Sequence, residues 1–434
     1  MHEPWTRRIF TLLALGFLLC GTFAWAEEGD QSDTAKTSSK ASSKSLADRV
    51  KDLEAKLDSA EEKFKQIHED QLRLHFNLYG DAEYRLSGLS NSFAQQNGFY
   101  VGQTDLHIMA QYGPRLGAMV ENVVEFDGQN PSIDLERVMV YYSFSDQLRL
   151  AAGRDHTAFG YWNRTFHHGS QLQTTIDRPF FLAFEDGGGS DQAYKKGGVV
   201  PNHIVGLFGY GTFDLGASAL KYELNVGNNG NIGLNGDGNG NPTDSAINFN
   251  PSGGDNFNMK RLAGRLVFKP VSDGGLAVGV ASVLSHYAVI PTDPKLASNP
   301  LMPNLVFNDL AQLLLEGEVI YTDENLEFLS EFYLFDDAVG GGSTMGSANN
   351  SAFYAQLAYQ VAPDLKPYIR VENLYVDGTD PFFQATVSSN QTVYMAGIRY
   401  EIVPAASSLK VELHLINNSG VNFTEVATAW GFGF

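Results

Sequence analysis

From Leu72 onward the chain alternates apolar and polar residues over an unusually long stretch. In LRLHFNLYGDAEYR (72–85), one face carries Leu, Leu, Phe, Leu, Gly, Ala and Tyr, and the other carries Arg, His, Asn, Tyr, Asp, Glu and Arg. A period of two places successive side chains on opposite faces of a β-strand. Because strands of globular proteins usually span ~5–6 residues, a strand of this length predicts a sheet that faces lipid on one side and water on the other.

The same alternation returns in 103–112, 261–269, 326–334 and 409–415. Mean hydropathy is −0.19 although 43% of the residues are hydrophobic, as expected when apolar side chains alternate with polar ones. The best uncharged run, 276–290, contains two serines and a histidine and is shorter than the ~18–20 apolar residues that a membrane helix needs. Any membrane span is therefore expected to be β.

Short turns alternate with longer polar connections along this region. The short ones fall at 113–115, 145–147, 213–216, 272–274, 322–325, 362–364 and 403–405, and the long ones at 86–97, 127–133, 156–202, 228–256, 288–308, 336–350, 377–390 and 417–421. Together they join sixteen strands, with both ends of the barrel region on the short-turn side. The predicted fold class is all-β, a 16-stranded antiparallel transmembrane β-barrel over 72–434, which has room for an aqueous channel.

The N-terminal segments are expected to lie outside this barrel. Residues 1–26 read as a secretory signal peptide that ends in Ala-Trp-Ala, and 27–45 as a disordered linker. Lipidation of Cys20 is the alternative for the leader. Apolar residues spaced by three and four in 46–71 predict a periplasmic coiled-coil helix, or else a single amphipathic helix packed on other protein.

Composition excludes several classes of function. A net charge of −20 argues against a nucleic-acid partner. The only cysteine, Cys20, lies in the predicted leader, so no thiolate metal site or disulfide is expected, and no cofactor is predicted. His167 and His168 are adjacent on a loop and point apart, so a metal site there is disfavoured. The sequence contains no Gly-x-Ser-x-Gly motif, which would place a nucleophilic serine. We therefore expect that the protein is not an enzyme.

The chain resembles the outer-membrane porins of Gram-negative bacteria. The resemblance rests on strand pattern, on loop order, on a last strand that ends in an aromatic residue, and on 135–163, which looks like the strand, turn and strand before the long third loop of phosphate- and substrate-selective porins. It implies a homotrimer of water-filled barrels in the outer membrane, among lipid and lipopolysaccharide. The terminal residues look like the signal read by the barrel-assembly machinery, namely Trp430, Phe432 and Phe434. Segment 46–71 looks like the periplasmic helices of porins that reach toward peptidoglycan.

Two groups of residues are candidates for the channel. Alternation predicts a lumen-facing set of mixed charge, comprising Arg73, Asp81, Glu83, Asp105, Glu121, Arg137, Arg149, Arg261, Arg265, Glu331, Arg370, Glu372 and Arg399. Loop 156–202 is longer than a connection requires and is predicted to fold inward as a constriction. Its candidate residues, together with one from the preceding strand, are Arg154, Arg164, His167, His168, Arg178, Glu185 and Asp186. The alternative is a surface loop with solvated charges.

The sequence therefore predicts a porin that conducts small hydrophilic solutes or ions by passive diffusion. Two alternatives stay open. One is a non-conducting barrel that acts as an adhesin, a receptor or a cell-wall anchor. The other is an uptake channel for one solute, such as phosphate, a sugar or a siderophore.

Overall fold

The computed structural model describes residues 56, 71–88, 97–126, 131–166, 170–183, 198–248, 254–255, 257–291, 293–296, 310–339, 350–386 and 388–434. The chain divides into two compact units, 1–63 and 64–434. Of the first unit only Lys56 is described, in a helical conformation. The predicted signal peptide, linker and coiled coil thus lie outside the described residues, apart from Lys56 and Gln71, and stay predictions. Among the described residues, no helix has both the length and the apolar character to cross a membrane.

Strands dominate the second unit. In chain order they are β1 (Leu72–Ser87), β2 (Gly98–Tyr112), β3 (Leu116–Phe126), β4 (Pro131–Ser145), β5 (Leu148–His156), β6 (His203–Asp214), β7 (Ala219–Gly227), β8 (Gly230–Gly236), β9 (Pro242–Asn248), β10 (Arg261–Lys269), β11 (Leu276–Pro291), β12 (Leu310–Thr322), β13 (Leu326–Val339), β14 (Asn350–Tyr359), β15 (Leu365–Tyr375), β16 (Gln391–Val403), β17 (Ser407–Asn418) and β18 (Val421–Gly433). The described residues of this unit also form two short helices, α1 (Tyr161–Thr165) and α2 (Pro381–Ala385).

Sixteen of these strands form a closed antiparallel barrel, which confirms the predicted strand number and fold class. Neighbours pair in chain order, except that β7 pairs with β10, and β18 closes the ring on β1. At the seam, the N–H of Phe434 donates to the carbonyl of Leu78 at 2.9 Å, and the N–H of Leu78 donates back at 3.0 Å. A closed ring leaves no unpaired strand edge, which a hydrocarbon surrounding requires.

The alternation of the sequence sets the two faces of this sheet. On β1, Leu74 and Phe76 are 52% and 60% exposed, whereas Asp81 and Arg85 are 8% and 6% exposed. The apolar row therefore lies outside and the charged row inside. An apolar exterior with a polar interior is the arrangement of a transmembrane barrel, because the lipid-facing and lumen-facing residues alternate along every strand.

The connections differ from the prediction in two places. Within 228–256, expected only as an irregular loop, β8 and β9 form a hairpin whose first strand runs parallel to the end of β11. Gly238 and Gly240 have φ of 75° and 93° at its turn, a conformation that glycine adopts without strain. Hydrogen bonds from the Asn241 side chain and from the N–H groups of Asn239 and Asn241 lower the pKa of Asp237 to about 2. The loop predicted at 417–421 is a tight turn, because β17 and β18 extend to Asn418 and Val421.

Residues 157–202, here called the inner loop, connect β5 to β6 and contain α1 and the single turns Ser170–Leu172 and Phe180–Leu182. Their described side chains from Gln171 to Leu182 are mostly buried. They contact the inward faces of β1, β13, β15 and β17. The described part of the inner loop therefore lies inside the barrel.

Candidate functional site

The predicted lumen-facing charges lie opposite the apolar row on their strands. Each alternates with outward-facing residues, most of them apolar; the set is Arg73, Asp81, Glu83, Asp105, Glu121, Arg137, Arg149, Arg261, Arg265, Glu331, Arg370, Glu372 and Arg399. Arg73 and Arg149 are exposed near the short-turn end of the barrel, and the others are half-buried or buried. Their contribution to permeation stays a prediction.

Inside the barrel several of these charges form ion pairs. Arg265 contacts the carboxylates of Glu318 at 2.7 Å and Glu223 at 3.1 Å. Arg370 contacts Glu372 at 2.6 Å. Further pairs are Arg85–Glu425, Arg137–Glu121, Arg154–Glu136 and Arg399–Glu401. Because opposite charges within a few ångströms cancel at a distance, the wall presents a weaker net field than its number of ionised groups implies.

The inner loop contacts the wall at Ala158, whose N–H donates to Asn225 Oδ1 on β7, and then at α1. Trp162 is fully buried. Its backbone N–H donates to Glu331 Oε1 at 2.6 Å, and its indole ring lies edge-on to the ring of Tyr354 with ring centres 5.5 Å apart. Gly160 has φ of +62°, and a Cβ there would lie 2.6 Å from Tyr333 Oη and 2.7 Å from Glu331 Oε2. Only glycine satisfies both the backbone conformation and this close approach.

The next segment of the loop is held by cations from the wall. Lys410, which is fully buried, donates to the carbonyls of Gln173 at 2.7 Å and Thr175 at 2.8 Å. Arg399 donates to the Gln173 carbonyl at 2.6 Å. The wall cations that contact this segment, called the basic clamp below, are Arg85, Arg370, Arg399 and Lys410. The loop carbonyls thus add to the wall carboxylates that pair with Arg85, Arg370 and Arg399.

Asp177 lies at the C-terminal end of this segment. Arg85 donates to its two carboxylate oxygens at 2.8 and 3.0 Å, the bidentate geometry that arginine favours. Arg370 donates to its carbonyl at 2.9 Å. The preceding N–H, of Ile176, donates to Glu412 Oε1 at 2.6 Å. The loop is therefore fixed to the wall by both its backbone and its side chains.

The predicted constriction residues do not form one group. Arg164 contacts Glu223 at 2.6 Å and Asp155 at 3.3 Å, and its side chain is 14% exposed. Burial alone would lower the pKa of Arg164, but these two carboxylates outweigh it and raise the pKa above its usual value. Arg154 donates to the carbonyl of Glu136 at 2.9 Å.

Arg178 is half-buried. The other candidates, His167, His168, Glu185 and Asp186, lie outside the residues whose side chains are described. The role of all seven residues in a constriction stays a prediction.

Two residues of the basic clamp were not among the predicted site residues. Alternation in 409–415 places Lys410 on the inward face, and the same holds for Arg85 in 72–85. Their contacts with the inner loop join residues 237 and 92 positions apart in sequence. Such pairings have no local sequence signal.

Solved structures with a similar fold are outer-membrane proteins. The anion-selective porin from Comamonas acidovorans is 11% identical, with a TM-score of 0.54, over 84% of this chain and 100% of that one. OmpF of Salmonella typhi, solved with daunomycin, is 11% identical with a TM-score of 0.51, over 85% and 98%. The outer membrane channel DcaP of Acinetobacter baumannii is 12% identical with a TM-score of 0.50, over 84% and 97%.

No protein-family model and no curated protein matches the chain. The chain has the fold of outer-membrane porins, and identities of 11–12% establish that fold alone.

Proposed function

We propose that this protein is a passive diffusion channel of the bacterial outer membrane and conducts small hydrophilic solutes or ions. The observation that carries the proposal is the closed ring of sixteen strands with an apolar exterior and a charged interior. Rings of this size enclose an aqueous channel, whereas eight strands fill their interior with side chains. The porin fold of the chain supports the same conclusion.

The inner loop narrows this channel. It crosses toward the side of β15, β16, β17 and β1, where the basic clamp holds it. The predicted constriction residues Arg154, Arg164, His167, His168, Arg178, Glu185 and Asp186 act here in the proposal. Since the described charges of the wall and loop are largely paired, we expect weak selectivity by charge.

The surroundings of the barrel follow from its exterior. Trp430 and Phe434 are 57% and 75% exposed on the outward face, where aromatic rings favour the membrane interface. The proposal includes contact with lipid and lipopolysaccharide, a homotrimer, assembly through Trp430, Phe432 and Phe434, and peptidoglycan contact through 46–71. It assigns the protein no catalytic activity.

Conductance in planar bilayers tests the channel. The barrel refolded from residue 27 onward is added to one side at 1 M KCl, with heat-denatured protein as the control. Discrete current steps support the proposal. A folded protein, identified by its heat-modifiable migration on gels, that gives no steps in repeated insertions would contradict it.

One observation favours a second candidate, a non-conducting barrel that binds a partner through its loops. Arg370, Lys410 and Glu412 on the inward face are each at most 2% exposed, because the inner loop covers them. A loop that covered the rest of the interior equally would block the channel. The same bilayer measurement separates the two candidates, and current that saturates with one added solute would instead identify a solute-specific channel.

A further inference from the structure

A histidine and two carboxylates meet on the inward face of β2 and β3. His107 Nε2 lies 2.7 Å from Asp105 Oδ2 and 2.9 Å from Glu121 Oε1. Asp105 and Glu121 are fully buried and His107 is 9% exposed. Strand geometry produces the group, because Asp105 and His107 are two residues apart on one face and His107 pairs directly with Glu121 across the ladder.

One ring nitrogen thus faces two carboxylate oxygens from different strands. A histidine nitrogen carries at most one proton, so a single hydrogen serves two anionic acceptors in this arrangement. A divalent cation bound to all three atoms would compensate both carboxylates. Its bonds of ~2.0–2.2 Å need donors only about 3–3.5 Å apart, close to the spacing already present.

The neighbours of this group suit a metal centre. Arg137 donates to the second oxygen of Glu121, and such an outer contact orients a carboxylate ligand. The ring of Tyr79 lies edge-on to His107 with ring centres 5.4 Å apart. The His107 side chain keeps 11% exposure, on the face that lines the barrel interior.

A second triad of the same composition differs in its contacts. Asp177, Glu412 and His414 also lie close together, but both oxygens of Asp177 accept from Arg85. Both oxygens that Asp177 could offer to an ion therefore already accept from a guanidinium, which would have to move before an ion could bind.

We propose that Asp105, His107 and Glu121 bind a divalent transition-metal ion, with Zn²⁺ as the probe, on the inner wall of the barrel. Imidazole and carboxylate donors suit this class of ion. The site is independent of whether the barrel conducts. We propose no binding at the triad of Asp177, Glu412 and His414.

The test is equilibrium dialysis of the untagged, refolded barrel in detergent against micromolar Zn²⁺ at neutral pH, with bound metal measured by mass spectrometry. The expected result is one ion per chain. His107→Gln and Asp105→Asn should each weaken binding by about tenfold or more, and Arg137→Gln by about tenfold. His414→Gln, the matched control, should leave binding unchanged.

Three outcomes would overturn the site: no bound Zn²⁺, equal loss in His414→Gln, or full binding in a folded His107→Gln protein. The triad would then be an ion-paired histidine only. Folding of each variant is verified by heat-modifiable migration on gels, and Asp105→Asn serves if His107→Gln does not fold.

Discussion

Gly160 lies close to Tyr333 and Glu331 of the wall. A Cβ at this position would lie 2.6 Å from Tyr333 Oη and 2.7 Å from Glu331 Oε2, and the backbone has φ of +62°. Gly160→Ala should lower the free energy of unfolding by about 1–3 kcal/mol because residues with a Cβ rarely adopt this backbone conformation, and by about 1–3 kcal/mol more from overpacking. Urea unfolding in detergent measures the change.

Gly216→Ala is the control for this prediction. Gly216 has φ of +84°, but nothing lies within 4 Å of its Cβ position, so only the backbone part of the cost applies. Equal losses in the two variants would show that the contact with Tyr333 and Glu331 is unimportant.

Arg164 compensates two buried carboxylates, Glu223 and Asp155. Replacing one member of a buried ion pair leaves an uncompensated charge and typically costs about 3–5 kcal/mol; the remaining contacts of Glu223 with Arg265 and Lys221 place Arg164→Ser toward the low end. In a channel that folds, the freed negative charge should move the reversal potential in a KCl gradient toward cations. Arg178→Ser combined with Arg164→Ser should move it further.

Arg149→Ser is the matched control, because Arg149 is exposed and contacts only Ser143 and the Tyr141 ring among its described neighbours. It should leave both stability and reversal potential nearly unchanged. A larger shift in Arg149→Ser than in Arg164→Ser would place the selective charges at the short-turn mouth.

The sequence indicates which side chains point inward but not what each one contacts. A period of two assigns Arg370 and Arg399 to the inward face, since strand geometry is local. The partner of Arg370 in the loop, Asp177, is 193 residues away. The sequence likewise predicts a constriction role for Arg164 but does not indicate that this side chain lies 2.6 Å from Glu223.

The basic clamp fixes the inner loop as an element. Lys410 donates to two loop carbonyls and is fully buried. Lys410→Met keeps the length of the side chain but removes both donors, so segment 171–177 should detach from β17 more readily. We expect larger fluctuations of the open-channel current and faster proteolysis of the inner loop.

Lys260→Met is the control for the clamp, because Lys260 lies outside the barrel strands, 41% exposed, and pairs with Asp255. Lys260→Met should show the same current fluctuations and the same protease resistance as the unaltered protein. If Lys410→Met gives the same current noise and protease resistance as Lys260→Met, the clamp does not hold the loop.

Strands and turns were predictable as elements, and the sequence also predicts that loop 156–202 folds inward. The hairpin of β8 and β9 and the residues that the inner loop contacts were not predictable. Alternation over 72–85 or 409–415 reflects lipid on one side of the sheet, a constraint that acts on every strand. The Asn- and Gly-rich stretch at 225–241 is compatible with many turn geometries, so its composition does not predict that a hairpin forms there. The inner loop is fixed by contacts with distant strands.

The barrel should function without the segment before it. The ring closes between β1, which begins at Leu72, and β18, and the predicted linker and coiled coil at 27–71 supply none of its strands. Deleting 27–71 should leave single-channel conductance within experimental scatter while reducing association with peptidoglycan in a pull-down. Loss of conductance in a folded deletion protein would contradict this separation.

Sidedness of the barrel and conduction through it can be tested together with two cysteines on β7. Lys221 faces inward with 50% of its side chain exposed, and Leu224 faces outward at 54%. In planar bilayers, a charged methanethiosulfonate reagent should change the single-channel current of Lys221→Cys and leave that of Leu224→Cys unaltered. Equal effects on both, or an effect on Leu224→Cys alone, would contradict a water-filled barrel with an apolar exterior.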